Sequence, residues 1–198
     1  MKKRVQLKDG TKVHIKPLRM EDLDKSVAFF RALPEQDRAY LRVDVTKRHI
    51  VKKRIASIKP EKIIRLVAIV DQTIIGDGSL EFETDTWKKH VAELRLVVAH
   101  PFQHKGLGML MARELFAIAL SKKVEEIVAK FMKPQVGARK IMERLGFHQD
   151  AVLHDYVQDI KGVKHDLIIM RCDINSLWEK IEDLVAESEF RGRWQCPN

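Results

Sequence analysis

Cysteine is scarce in this sequence, which contains only Cys172 and Cys196 among its 198 residues. Two cysteines in these positions provide neither a disulfide framework nor the ligand set of a zinc site. The apolar runs are far shorter than the ~20 residues of a membrane-spanning helix. The basic start at residues 1–4 is not followed by the apolar segment of a secretion signal. These absences favour a reduced compartment, and we expect a cytoplasmic protein that uses no metal and no membrane.

Acidic residues are in the minority, with 28 Asp and Glu against 37 Lys and Arg, so the net charge is +9. Part of the excess falls within one short segment: Arg38, Arg42, Lys47, Arg48, Lys52, Lys53 and Arg54. A cationic surface attracts polyanions such as a phosphorylated cofactor or nucleic acid, although such a surface also serves solubility alone. Tyr40 is the one aromatic ring near these cations, so the sequence supports nucleic-acid binding only weakly.

The apolar pattern predicts one mixed α/β domain. We expect strands at residues 5–7, 13–15, 63–70, 73–82, 91–99, 126–132, 152–157 and 166–172. We expect helices at residues 20–33, 37–58, 109–120 and 135–145, with a further amphipathic helix at 173–189. Gly76 and Gly78 lie inside a strand, which indicates a bulge or a close approach of another backbone.

A glycine loop at residues 103–108 lies between a strand-like run and a helix-like run. The free N–H groups and the dipole at a helix N-terminus favour an anion there. Gly106 and Gly108 have no Cβ, so a bulky anion can approach the main chain closely. Lys105 adds a positive charge. The loop is therefore a candidate phosphate site.

Two common phosphate loops do not fit this pattern. A Walker loop ends in Gly-Lys followed by Ser or Thr, whereas here Lys105 precedes the glycines and Met109 follows them. A dinucleotide fingerprint needs a third glycine within an early strand–helix–strand unit. The loop has two glycines and follows about half of the chain, behind strands that look like antiparallel hairpins.

The pattern Gln103-x-x-Gly106-x-Gly108 resembles the acetyl-CoA pyrophosphate loop of the GNAT N-acetyltransferase superfamily, which reads Gln/Arg-x-x-Gly-x-Gly/Ala. The order of elements agrees, including a helix that ends in Leu-Gly-Phe at residues 145–147. The resemblance covers roughly residues 11–174. Within the superfamily, the stretches at 9–30 and 92–108 look like the acetyltransferase domain of Pat-type bacterial protein-lysine acetyltransferases.

The resemblance implies a fold of the α/β (α+β) class. We expect a GNAT-like mixed, mostly antiparallel sheet of six to seven strands flanked by helices, with a C-terminal helical extension. Residues 1–173 would form the acetyltransferase domain, and residues 174–198 would form an amphipathic helix and tail.

The resemblance also implies the chemistry, in which acetyl-CoA is the co-substrate and a primary amine attacks it directly in a ternary complex. Glu93 matches the family's general-base glutamate, although a surface glutamate on an alternating strand is the plainer alternative. We expect a partly apolar cleft to raise its pKa. The strand is expected to splay apart from its neighbour after this point. The implied acetyl-CoA contacts are Val97, Val98, Ala99, Gln103, His104, Lys105, Gly106, Leu107, Gly108, Met109 and Gln135.

Two positions depart from the family pattern. Gln135 stands where many relatives have Asn, and Met142 stands where many have a Tyr that protonates the departing thiol. Met142 cannot donate a proton, but a thiol with a pKa near 8.5 is a tolerable leaving group without an acid. Tyr156 is a candidate substitute acid, against the alternative that it is a buried structural tyrosine.

Two functions remain open at this stage, namely an N-acetyltransferase and a non-catalytic acyl-CoA-binding module. For the enzyme, a protein lysine or N-terminal amine ranks before a small amine as acceptor. The basic segment would repel a polyamine and would suit an acidic protein surface or an RNA-linked substrate. The amphipathic tail suggests either packing on the domain or formation of a homodimer.

Overall fold

The computed structural model describes residues 3–83 and 86–174. The strands are β1 (Lys3–Gln6), β2 (Lys12–Pro17), β3 (Ile63–Val70), β4 (Thr73–Phe82), β5 (Val91–Val98), β6 (Glu126–Met132), β7 (His148–Gln158) and β8 (Lys164–Asp173). The helices are α1 (Leu23–Ala32), α2 (Glu35–Arg38), α3 (Arg48–Ala56), α4 (Leu107–Ser121) and α5 (Val136–Arg144). The mixed α/β class is confirmed.

Within this described part of the chain, eight strands form one sheet in the order β1-β2-β3-β4-β5-β6-β8-β7. The count equals the eight strands expected from the apolar pattern and is one above the six to seven implied by the resemblance, with the short β1 pairing with β2 at the edge. All neighbours are antiparallel except β5 and β6. That parallel pairing ends at Glu93 opposite Val128, and beyond it the two strands separate. The predicted opening of the sheet is therefore present.

Helix α4 packs closely against β4 because two glycines leave room for it. A Cβ added at Gly76 would lie 2.7 Å from the Sδ of Met111, and one at Gly78 would lie 3.0 Å from the Cδ1 of Leu115. A bulge also interrupts the β3–β4 register beside Gly76. The predicted bulge is confirmed, whereas the groups that approach these glycines closely are side chains of α4 and not another backbone.

Helices α1 and α3 pack on the opposite face of the sheet. Their buried side chains, among them Phe30 and Val51, form a second apolar cluster with Val67 and Ile74 of the strands. The α4 face has its own cluster, centred on fully buried residues such as Leu115 and Phe116. The sheet therefore separates two cores.

The predicted helix at residues 37–58 is wrong in its middle, because residues 39–47 lie between α2 and α3 outside either helix. The carboxylate of Asp44 accepts hydrogen bonds from the amide and the hydroxyl of Thr46. Such local side-chain bonds compete with helical ones. Helical structure is therefore interrupted in this segment, and it resumes at Arg48.

The predicted C-terminal helix lies outside the described residues beyond Ile174. Ile174 itself is buried, and its N–H donates to the carbonyl of Glu125. The proposed boundary after residue 173 stays a prediction. Within residues 3–83 and 86–174, no helix combines the length and the apolar character needed to cross a membrane.

Candidate active site

The separation of β5 from β6 opens a cleft of about 120 Å³ in the middle of the sheet. Strands β4, β5 and β6 contribute to its walls, together with the start and the inner face of α5. The segment 39–47 closes it on the side of α1 and α3. The cleft is thus bordered by elements that are distant in the sequence and that the sheet topology brings together.

The main chain of β5 presents alternate residues to this cleft. The N–H of Ala99 donates to the carbonyl of Ile75 at 2.9 Å, so Ala99 and, by the alternation of an antiparallel ladder, Val97 direct their main-chain groups towards β4. Val98 directs its main chain towards the opening, and the Nε2 of Gln103 donates to its carbonyl at 3.2 Å. The amide of Ala99 is therefore paired with β4, whereas the main chain of Val98 faces the opening, and the acetyl-CoA contacts of residues 97–99 stay predictions.

The glycine loop has the left-handed backbone that its composition predicts. His104 has φ +60° and Gly106 has φ +89°. An L-residue adopts such values at a cost that glycine avoids. The N–H of Lys8 donates to the carbonyl of Lys105 at 3.2 Å, so the β1–β2 hairpin holds the loop.

Helix α4 starts directly after this loop. Its first N–H groups, those of Leu107, Gly108 and Met109, precede the first bond along the helix, from Leu110 to Gly106. A Cβ at Gly108 would touch side chains of β5 at an ordinary 3.7–3.9 Å. Packing within the protein therefore does not require glycine at this position, whereas close approach of an anion to the main chain does. Within the described part of the chain, the loop thus places unpaired N–H groups beside a position with room for an anion, and pyrophosphate binding there stays a prediction.

Lys105 forms an ion pair with the neighbouring β1–β2 hairpin. Its Nζ lies 2.9 Å from the Oδ2 of Asp9, and it lies 5.4 Å from the ring centre of Phe102. The hydrogen bond from Lys105 holds the pKa of Asp9 well below its usual range. Lys105 thus contributes positive charge at the loop but is already paired at the surface.

Glu93 lies at the end of the β5–β6 pairing, with its side chain 12% exposed. Three cations surround the carboxylate. Its Oε1 accepts hydrogen bonds from Arg42 and, at 3.1 Å, from Arg95, and its Oε2 accepts one from Lys130 at 2.9 Å. Burial by itself raises the pKa of Glu93, but the hydrogen bond from Lys130 and the charges of Arg42 and Arg95 outweigh burial and lower it. The expected upward shift is therefore wrong.

A charged layer continues beneath α3 that the sequence analysis did not single out. The Nη1 of Arg65 lies 2.7 Å from the Oδ1 of Asp77, both almost fully buried, and Arg54 reaches the same oxygen at 3.3 Å. Burial lowers the pKa of Arg54 to about 10, so it keeps its charge at neutral pH. The sequence signal was present, since charged residues interrupt strands that are otherwise apolar.

Three buried polar atoms of this layer have no hydrogen-bond partner within the described part of the chain. They are the Nε of Arg65, the Oδ2 of Asp77 and the Oγ of Ser79. Asp77 also borders the cleft. A buried polar atom without a partner is costly, which marks this side of the cleft as a place where a polar ligand group would be stabilised.

Three further candidate residues, Gln135, Met142 and Tyr156, differ in their position relative to the cleft. Gln135 borders the cleft and directly precedes α5, and its Oε1 accepts the N–H of Met132, at the end of β6, at 2.8 Å. Met142 is buried and also borders the cleft, where its thioether has no proton to donate. The side chain of Tyr156 is 67% exposed on β7 and does not line the cleft. The alternative of a buried structural tyrosine is therefore wrong, and its role as an acid gains no support from its position.

Comparison with known proteins identifies the domain. Residues 12–148 match the profile of the acetyltransferase (GNAT) domain. The GNAT domain of S. lividans PAT has a TM-score of 0.71 and 16% identity, over 87% of this chain and 96% of that chain. Mycobacterium smegmatis RimJ, solved in complex with CoA-disulfide, has a TM-score of 0.72 and 16% identity, over 89% and 88%. At these identities the likeness shows the fold alone.

A curated relative matches a shorter stretch. The mitochondrial subunit MTO1 of 5-taurinomethyluridine-[tRNA] synthase from Pongo abelii is 31% identical over 90 residues, which is 44% of this chain. The match spans 12% of the length of that protein. Most of that protein therefore has no counterpart in the match.

Proposed function

The chain belongs to the GNAT acetyltransferase family, and we propose that it transfers an acetyl group from acetyl-CoA to a primary amine by direct attack in a ternary complex. One observation carries this proposal. The β5–β6 pairing ends at the carboxylate of Glu93, the open edge of β5 begins there, and the N-terminus of α4 packs beside the same strand, since a Cβ at Gly108 would touch Leu96 and Val98. A thioester donor and an amine acceptor need these three features together.

Acetyl-CoA would lie along the loop and the open edge of β5. The N–H groups of residues 104–109 and the dipole of α4 would hold the pyrophosphate. The main chain of Val98 would hold the pantetheine arm, and the amide of Gln135 would border it from α5. The bound group supplies an activated acetyl thioester.

Glu93 accepts the proton in this proposal. A lysine amine has an ordinary pKa near 10.4 and attacks only when neutral, so a proton must leave it. Glu93 is ionised at neutral pH and would take that proton directly or through a water, although its lowered pKa makes it a weaker base than an ordinary glutamate. The nitrogen then forms the amide bond while the bond from carbon to sulfur breaks. The thiolate leaves without a proton donor, since Met142 occupies the position that would provide one.

Among candidate acceptors of the acetyl group, a protein lysine or N-terminal amine ranks first and a small amine ranks second. Supporting the first choice, the basic segment borders the cleft through Arg42 and Arg54 and would suit an acidic protein surface. The non-catalytic alternative is favoured by two observations, the three cations that hold Glu93 and the absence of an acid at Met142.

A thiol-release assay with a panel of amines, together with calorimetry of CoA binding, tests the proposal. We expect CoA to bind and to be released from acetyl-CoA in the presence of an amine. Gly106→Glu should abolish binding, because it places a carboxylate and a strained backbone where the pyrophosphate would lie. Tight CoA binding without release across the panel would instead indicate the binding module, and unchanged affinity in Gly106→Glu would remove the basis for the loop.

Glu93→Gln tests the base separately. We expect turnover at neutral pH to fall by roughly 10²- to 10⁴-fold with CoA affinity nearly unchanged. Glu126→Gln is a matched control, because Glu126 is a carboxylate of β6 that pairs with Arg171 and does not line the cleft. Equal rates and equal pH profiles for Glu93→Gln and the wild-type protein would place the base elsewhere.

A further inference from the structure

The acceptor side of the cleft carries more positive than negative charge. Five cations lie in contact with three carboxylates: Arg42, Arg54, Arg65, Arg95 and Lys130 with Asp77, Glu81 and Glu93. A charge excess in a partly buried cleft repels an ammonium group and attracts an anion. An amine that carries its own carboxylate would therefore enter at a lower cost than a simple amine.

Two of these cations are fixed by pairs of carboxylates. Arg65 is 3% exposed and bridges Asp77 at 2.7 Å and Glu81 at 3.7 Å. Arg95 bridges Glu81 at 2.8 Å and Glu93 at 3.1 Å. Either guanidinium would give up two carboxylate partners at once if it moved.

Arg54 is held in place as well, by Asp77 and by the ring of Phe30, whose centre lies 4.9 Å from its guanidinium carbon. Lys130 donates to Glu93 at 2.9 Å from β6, a strand in the middle of the sheet. These four cations set the field of the cleft, and each is carried by a regular element, Arg54 by α3 and the other three by strands.

Arg42 differs from the other four. It lies in the segment 39–47 outside the regular elements, and its side chain is 43% exposed. Across residues 3–83 and 86–174, Glu93 is the one group to which it forms a hydrogen bond or ion pair. Arg95 and Lys130 would still hold Glu93 if Arg42 moved away. Arg42 is therefore the cation that can change partner at the lowest cost.

We propose that the acceptor is an amine with a nearby carboxylate, and that Arg42 binds this carboxylate by exchanging its contact with Glu93 for one with the acceptor. The inference rests on the proposed function and names its substrate class. A guanidinium suits this role because it binds a carboxylate through two parallel hydrogen bonds. The exchange also removes one of the three cations that contact Glu93 when the amine arrives. Acceptors without the carboxylate leave Arg42 in contact with the base.

Matched acid and amide acceptors test the carboxylate requirement. One pair is glycylglycine and its C-terminal amide, in which the same kind of amine is joined to a carboxylate in one molecule and to an uncharged amide group in the other. The second pair is a peptide amide that begins alanyl-glutamate and one that begins alanyl-glutamine. If kcat/KM is higher for the acid only in the first pair, the acceptor is a small molecule with a carboxylate. If it is also higher for the glutamate peptide in the second pair, an acidic protein N-terminus can be the acceptor. Equal kcat/KM within both pairs would overturn the proposal.

Arg42→Ala identifies the residue. We expect the acid-to-amide ratio of kcat/KM to fall from roughly 10- to 100-fold in the wild-type protein to below about threefold, mainly through KM for the acid. Lys52→Ala is the control, because it removes the same charge from an exposed position of α3 that does not line the cleft. A variant that merely loosened the segment 39–47 would slow both members of a pair alike and keep the ratio. That result would overturn the role of Arg42.

A binding experiment separates this inference from the proposed function. Calorimetry with the N-acetylated forms of the same peptides, in the presence of CoA, needs no turnover. We expect the acetylated acid to bind more tightly than its amide, and Arg42→Ala to remove the difference. An inactive protein with this preference would contradict the proposed activity and leave acidic recognition supported. Equal affinity for the acid and the amide, or binding of neither, would overturn the inference.

Discussion

The two faces of the central sheet come from the same strands but bury different chemistry. Towards α4, the strands present apolar residues and two glycines, and the buried charge of Glu114 is paired with Lys3. Towards α1 and α3, β3, β4 and β5 present Arg65, Asp77 and Arg95 among apolar neighbours. Successive residues of a strand point to opposite faces. One set of strands therefore provides a packed scaffold on one side and a charged site on the other.

The difference shows which face contributes less to the stability of the fold. An apolar face gains free energy from burial alone, whereas buried ion pairs roughly offset their desolvation and seldom add stability. The charged face also contains polar atoms without partners, such as the Oδ2 of Asp77. Such groups are expected at a site that binds ligands, and they mark the α1–α3 face as the functional one.

The largest expected effects come from one truncation on each face. Phe116→Ala on the α4 face and Phe30→Ala on the α1–α3 face each remove a fully buried ring. We expect each to lower the free energy of unfolding by about 3–5 kcal/mol, measured by urea denaturation. Only Phe30→Ala should raise KM for the acceptor, since Phe30 borders the cleft and supports Arg54.

Kinetics of both variants at a temperature where they remain folded provide the comparison. Phe116→Ala should keep the wild-type KM for amine and for acetyl-CoA. An equal rise in KM for the acceptor in both variants would show that the two faces are coupled and that the division into scaffold and site is wrong.

A smaller effect is expected from Asp77→Asn, which keeps the shape of the side chain and removes its charge. Arg65 and Arg54 would then lose a shared charged acceptor, so we expect a loss of about 1.5–3 kcal/mol in unfolding free energy. Arg65 keeps Glu81 at 3.7 Å as a second partner, which limits the loss. Urea denaturation measures it. A stability equal to wild type would mean that the layer is solvated and does not behave as a buried charge cluster.

The residues of the α4 face and the loop were predictable from the sequence because their signals are local. The spacing of Gly106 and Gly108 before an apolar helix predicted the N-terminus of α4, which begins at Leu107. The strand glycines predicted a bulge, and the β3–β4 register shows it beside Gly76. Such signals need only a few neighbouring residues and the conformational freedom of glycine.

The charged face was not predictable in the same way because it depends on contacts between distant residues. Arg42 is 51 positions from Glu93 in the sequence, and Lys130 is 37 positions from it. The position of Arg42 also depends on the break at residues 39–47, where Asp44 and Thr46 replace the expected helix. The downward shift in the pKa of Glu93 results from these contacts. Without them, the sequence predicted an upward shift.

The smallest expected effect concerns the pH dependence that these contacts create. In the folded protein the pKa of Glu93 is lowered, since Lys130, Arg42 and Arg95 together outweigh the effect of burial. A lowered pKa in the folded state contributes stability that is present above the unfolded value of about 4.3 and is lost as the pH falls through the folded value. Arg42→Ala removes one of the three cations, so it should raise the pKa of Glu93 towards its ordinary value.

The difference in unfolding free energy between the wild-type protein and Arg42→Ala should therefore be largest near neutral pH and should narrow as the pH falls below the ordinary pKa of a glutamate. Carboxyl-carbon NMR of labelled protein would follow Glu93 directly, and urea denaturation across the same pH range would give the stability difference. Lys52→Ala should show neither change, because Lys52 is exposed on α3 away from the carboxylate. An unaltered titration of Glu93 in Arg42→Ala would mean that Arg95 and Lys130 alone set its charge. In that case Arg42 would not influence the charge of Glu93. The exchange of partners proposed for Arg42 would then lose its physical basis.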